Sequence, residues 1–159
     1  MTGGVEPSGH PMLMTGLANA GLSGDGFMPT ILIVEDEAPL LILAESVLQG
    51  AGYETLTAAT STEVQSIIQS DAQIDLLFTD LGLGDQLEAG LELGRSTAEA
   101  RPALPILYTS GRALTDGMRS LFIEKSDFLP KPYTNDQLIA AIKAPLERRL
   151  GSSQSCNQT

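Results

Sequence analysis

The stretch Ile74-Asp75-Leu76-Leu77-Phe78-Thr79-Asp80 constrains this chain more than any other. It is a short apolar run without helical gaps, and it ends on a carboxylate. A run of this kind suits a strand covered on both faces, as in a parallel sheet. Asp80 then stands where the strand stops and its loop begins. In open α/β sheets that edge is where ligands bind.

The rest of the chain repeats the pattern. Thr30 to Val34 reads as a β-branched strand cut off by Glu35-Asp36-Glu37. Pro39 fits the first turn of a helix that runs to about Gln49 and stops at Gly50 and Gly52. Tyr53 to Ala58 reads as a second strand. Thr60 and Glu63 have the spacing of a capping box, opening a helix with Val64, Ile67 and Ile68 on one face. After the Asp80 strand, a glycine-rich loop from Gly82 to Gly90 leads into a third helix ending near Ala100. Pro102 and Pro105 bracket the turn into a fourth strand, Ile106 to Thr109, and Leu114, Met118, Leu121 and Phe122 then fall at helical spacing. Phe128-Leu129 forms a short fifth strand, halted by Pro130-Lys131-Pro132. The last helix shows Leu138, Ile139, Ile142 and Leu146 on one face, with Pro145 expected to kink or fray its end. Five strands alternating with five helices predict one α/β domain, a doubly wound parallel sheet wrapped by helices.

Length and charge narrow the functions. At 159 residues the chain buries a full core as one domain. No apolar stretch approaches membrane-spanning length. The one cysteine, Cys156, lies in a polar tail, which fits a reducing cytoplasm. The net charge is −11; residues 30–159 carry −9 of it, because only Glu6 and Asp25 precede them and every Lys and Arg follows. Such a surface repels nucleic acid and anionic lipid, so neither is an expected partner. Residues 1–29 hold seven Gly, four Met and no Lys or Arg, and lack the basic start and apolar centre of a secretory signal. We expect a disordered leader at 1–29, the folded unit at 30–149 and a flexible tail at 150–159. On that division we expect a stand-alone domain, with no effector domain in either flank.

The polar groups that matter lie at C-terminal ends of predicted strands: Glu35 and Asp36, then Asp80, Thr109 and Lys131. In a parallel sheet those ends share one rim. Three carboxylates crowded there repel one another and call for a cation. Hard oxygen ligands with room for water suit Mg²⁺. A hydroxyl and an ammonium beside them can hold the remaining oxygens of a phosphoryl group, so the set reads as a phosphoryl-transfer site with Asp80 as nucleophile. Singly, each residue has a plainer use: Asp80 as a turn residue, the Glu35–Glu37 run as an acidic first helical turn, Thr109 in its strand, Lys131 in solvent. Their joint placement at successive strand ends favours a site.

On these residues the segment from about 29 to 149 resembles the receiver domain of two-component response regulators. The resemblance rests on Ile33-Val34-Glu35-Asp36-Glu37, on Asp80 in Phe78-Thr79-Asp80-Leu81, on Thr109-Ser110 after an apolar strand, and on Lys131-Pro132. It implies a CheY-like fold with strand order 2-1-3-4-5. It also implies that Asp80 accepts a phosphoryl group from a sensor histidine kinase or histidine phosphotransfer protein, with Mg²⁺ or Mn²⁺ as cofactor. By the same resemblance Asp36 is a direct metal ligand, Glu35 one acting mostly through water, and Gly82 a donor of its backbone carbonyl. Thr109 and Lys131 bind phosphoryl oxygens, and Thr109 and Phe128 form the switch; the domain then alters its contacts with a downstream protein or passes the phosphoryl group onward. Such a domain is a self-phosphorylating signalling acceptor, with slow autodephosphorylation, rather than an enzyme. Gly82 and Gly111 stand where receivers often carry side chains that influence hydrolysis, and the loop after Asp80 lacks a common proline.

Other classes fit less well. A flavodoxin-like enzyme wants backbone N–H groups for a flavin phosphate after the first strand, where this chain puts Glu35-Asp36-Glu37. An aspartyl-nucleophile phosphatase pairs its aspartate with an acid two residues on, and that position is Gly82. A degenerate receiver, binding partners without phosphorylation, is opposed by the intact set of Asp36, Asp80, Thr109 and Lys131.

Overall fold

The computed structural model describes residues 27–84, 86, 88–123 and 126–155. All but the last three residues of the expected leader at 1–29 lie outside them, as does Cys156. Ten elements follow one another: β1 (Thr30–Val34), α1 (Ala38–Gly50), β2 (Glu54–Ala58), α2 (Ser61–Gln69), β3 (Leu76–Asp80), α3 (Ala89–Ala100), β4 (Ile106–Ser110), α4 (Asp116–Ser120), β5 (Asp127–Pro130) and α5 (Asn135–Ser155). The strands form one parallel sheet in the order β2-β1-β3-β4-β5.

Alternation along the strands builds a core on each face of the sheet. Leu32, Val34, Leu77, Ile106 and Tyr108 pack with Val64, Ile68, Leu91 and Leu93 from α2 and α3. Ile31, Ile33, Leu76, Phe78 and Leu107 pack on the other side with Ala44, Leu48, Leu138, Ile142 and Leu146 from α1 and α5. β1, β3 and β4 are buried at every position, the burial that their unbroken apolar runs call for.

Local chemistry sets the helix ends. Thr60 Oγ1 accepts from the Glu63 N–H at 3.2 Å, and Glu63 reaches back to the Ala59 N–H at 3.1 Å, so the expected capping box forms with its return arm one residue early. At the other end of α2, the Arg101 side chain donates to the carbonyls of Ile68 (3.0 Å), Ser70 (2.8 Å) and Ala72 (2.9 Å). These bonds take up acceptors that the last helical turn leaves open.

Two stretches depart from the sequence reading. The helical spacing from Leu114 to Phe122 yields only the short α4, capped by Thr115 accepting from the Met118 N–H. Leu114, Met118 and Phe122 still pack on the core, from the flanks of that turn as well as from within it, while Leu121 is exposed. The last helix does not fray at Pro145 or stop near 149, and it continues to Ser155. Ile142 and Leu146 are buried on either side of the proline, and Arg149 anchors the next turn by donating to the Asp75 carbonyl at 3.0 Å. This anchoring outweighs the one backbone bond that proline removes.

Candidate functional site

Strand register brings the predicted residues to one rim. Asp80 pairs directly with Thr109 across β3 and β4, and Thr109 pairs with Leu129 on β5, two residues before Lys131. On the other side Val34 pairs with Thr79, which sets Glu35 beside Asp80. The Lys131 N–H donates to the Ser110 carbonyl at 2.9 Å and carries the ladder one residue past β5.

An ammonium occupies the centre of the site. Lys131 Nζ lies 2.5 Å from Asp80 Oδ2 and 2.9 Å from Glu35 Oε2. The second oxygen of each carboxylate is also engaged: Asp80 Oδ1 accepts from the Gly82 N–H at 2.9 Å, and Glu35 Oε1 from the Glu37 N–H at 3.2 Å. Asp36 is exposed and accepts from the Gly84 N–H at 2.8 Å, so the loop after β3 is tied to the loop after β1. Gly84 sits at φ +66°, a conformation that favours glycine.

Burial and charge compete over these groups. Burial pushes the Glu35 carboxyl above its usual range, while the hydrogen bonds from Lys131 and the Glu37 N–H draw it back only in part. Burial alone would lower Lys131, but Asp80 and Glu35 together hold it above the ordinary lysine range. The ammonium therefore stays charged.

Sequence reasoning expected three carboxylates crowded around one cation. Among the described residues no three acids are drawn into one metal-binding group. Lys131 neutralises Glu35 and Asp80, and Asp36 turns to its own backbone donor. The donor set nonetheless fits Mg²⁺ or Mn²⁺ in kind, being all hard oxygens on one rim, with Asp36 open to solvent. The Thr109 hydroxyl is 2% exposed as a residue and has no hydrogen-bond partner among the described residues. A buried hydroxyl left in this way marks a place for an acceptor oxygen.

Phe128 is half-buried, its ring 6.0 Å from that of Phe122. Two neighbours of the site escaped the sequence reading. Tyr133, just past Lys131, sets its ring edge-on to Phe78 at 6.2 Å. Gly90 lets α3 approach so closely that an added Cβ would stand 2.2 Å from the Asp80 carbonyl oxygen. A lone glycine after a loop gives no sign of which backbone it will meet.

Residues 31–143 match the response regulator receiver domain. The chain belongs to that family. Over 129 residues this receiver is 33% identical to the phosphate regulon transcriptional regulatory protein PhoB of Pseudomonas aeruginosa, covering 79% of this chain and 55% of the relative. It is 32% identical to the regulatory protein VirG of Agrobacterium tumefaciens over 121 residues, 75% of this chain and 44% of the relative. The receiver chain thus spans about half the length of these curated relatives. A crystal structure of a response regulator receiver protein from Sinorhizobium medicae aligns with TM-score 0.70 and 34% identity, over 77% of this chain and 97% of that one. Receivers are signalling domains of two-component systems.

Proposed function

We propose that this receiver accepts a phosphoryl group on Asp80 and signals through altered protein contacts. The observation that carries the reading is the pairing of Asp80 with Thr109 at the C-terminal rim of the sheet, with Lys131 held on Asp80 and the Thr109 hydroxyl unpartnered among the described residues.

In the transfer, an Asp80 carboxylate oxygen attacks phosphorus on a phosphohistidine of a sensor kinase or phosphotransfer protein. The P–O bond forms as the P–N bond breaks, and the electron pair leaves with the imidazole nitrogen. Lys131 then faces the new phosphoryl oxygens instead of a bare carboxylate, and the Thr109 hydroxyl donates to one of them. Asp36, Asp80 and Glu35, with the Gly82 carbonyl, would hold a Mg²⁺ or Mn²⁺ ion, which would supply positive charge against the transferring group. Thr109 and Phe128 carry the change toward the surface that a downstream protein reads.

The acidic composition supports protein rather than nucleic acid as the partner of this domain. No helix of the described residues is long and apolar enough to cross a membrane, and we place the domain's action in the cytoplasm.

The test is incubation with acetyl phosphate, with and without Mg²⁺, followed by mass spectrometry of wild type and Asp80→Ala. A Mg²⁺-dependent phosphoryl adduct on the wild type alone supports the reading. No adduct on either protein would make this a phosphorylation-independent binding module.

A further inference from the structure

Tyr108 precedes Thr109 in β4, and its side chain is fully buried. Its hydroxyl has no hydrogen-bond partner among the described residues. It points at α3, where a Cβ added to Gly94 would stand 2.0 Å from the hydroxyl oxygen and 2.8 Å from Cζ. Only glycine leaves room for it there. Thr97, one turn further along α3, carries another buried hydroxyl without a partner among the described residues. A buried polar group left unbonded is a standing cost to the packing that contains it.

The ring of Tyr108 leads elsewhere. It lies 4.8 Å from the ring of Phe122, beyond α4, and Phe122 lies 6.0 Å from Phe128 on β5. Tyr108 is thus clamped by α3 at its hydroxyl end and joined along its ring to the aromatic residue of the proposed switch. Phe122 and Phe128 also border an open groove of about 630 Å³, lined too by Leu114, Arg112 and Arg119. The two phenylalanines have space to move into. Tyr108 has none.

We propose that Tyr108 is a positioning residue of the switch: it passes a movement of Thr109 to Phe122 and Phe128, and its unbonded hydroxyl biases the domain against the packing described here. The inference rests on Asp80 being the phosphoacceptor. One peptide unit joins Tyr108 to Thr109, so a strand end drawn toward a phosphoryl group moves both. The displaced ring pushes Phe122 toward the groove, and the hydroxyl leaves a site where nothing satisfies it. Two packings that differ in this one satisfied group are the kind of equilibrium a phosphoryl group can shift.

The test uses the full chain titrated with beryllofluoride in Mg²⁺, followed by amide and aromatic NMR, for wild type, Tyr108→Phe and Tyr108→Leu. Tyr108→Phe keeps the ring and deletes the hydroxyl. It should raise the thermal midpoint without ligand, and about three- to tenfold more beryllofluoride should be needed to move Phe122 and Phe128. Tyr108→Leu should leave the response of Thr109 in place and lose that of Phe122 and Phe128. If Tyr108→Phe titrates and melts as wild type does, the proposal is overturned, whether or not the leucine variant folds. Retained Phe122 and Phe128 shifts in a folded Tyr108→Leu would overturn it too. A wild type silent at Asp80 removes the phosphoacceptor reading beneath it; a normal response at Asp80 with indifferent Tyr108 variants overturns this inference alone.

Discussion

Lys131 and Asp80 meet across β4, with Nζ 2.5 Å from Oδ2, and the same ammonium holds Glu35 at 2.9 Å. One cation therefore neutralises two carboxylates that would otherwise face each other at low exposure. This makes Lys131 a stand-in for metal charge, beside its proposed role as a phosphoryl ligand.

Replacing Lys131 by Met should expose that role. The pair is mostly shielded, at 19% and 12% side-chain exposure, so its loss should cost on the order of 2 kcal/mol in urea unfolding with EDTA present. Saturating Mg²⁺ should recover much of this, because a bound cation replaces the missing charge. Equal losses with and without Mg²⁺ would count against a metal at these carboxylates.

Glu35 should report on pH. Its folded pKa is raised by burial above the ordinary value of 4.5, so the folded state holds this proton more tightly than the unfolded chain does. The corresponding stability is present below that ordinary value and is lost as pH rises through the raised one. Glu35→Gln keeps one acceptor oxygen, for Lys131 or for the Glu37 N–H, as the protonated carboxyl does, and removes the charge. In metal-free buffer it should unfold at higher urea than wild type near about pH 7, with the difference gone by about pH 4. Parallel pH profiles for the two proteins would contradict the sign.

Gly90 and Gly94 should respond differently to alanine, although both lie in α3, where alanine is normally favoured by about 1 kcal/mol. At Gly90 the new Cβ meets only backbone, including Leu81 Cα at 2.6 Å, and Gly90→Ala should cost about 3 kcal/mol or more. At Gly94 it meets the end of one side chain, so Gly94→Ala should cost about 1–3 kcal/mol. Combining it with Tyr108→Leu should recover part of that loss. Urea titrations of the single and double variants measure this coupling directly.

Arg101 is a structural clasp. Four carbonyls, of Ile67, Ile68, Ser70 and Ala72, at and just past the end of α2 share its guanidinium, and Arg101→Ala should cost about 2 kcal/mol. Arg101→Lys should restore little, because an ammonium cannot match the planar fork. A fully stable lysine variant would show that charge alone suffices.

Much of this was legible in the residues. Unbroken apolar runs ending in Val34, Asp80 and Thr109 announce strands covered on both faces, and the helical stripes between them leave a parallel sheet as the arrangement that buries all of them. Glu35, Asp80, Thr109 and Lys131 follow their strands in chain order, so a shared rim was already implied. These features are local, set by side-chain period and by the residues that end each element. The register that pairs Asp80 with Thr109, the lysine that enters the acidic cluster and the hydroxyl of Tyr108 set against Gly94 are relations between strands and helices far apart in the chain. They follow from how closely the layers approach, and that distance is decided by packing. The same cause lets α5 run through Pro145, because core contacts on either side of a weak position outweigh its local preference.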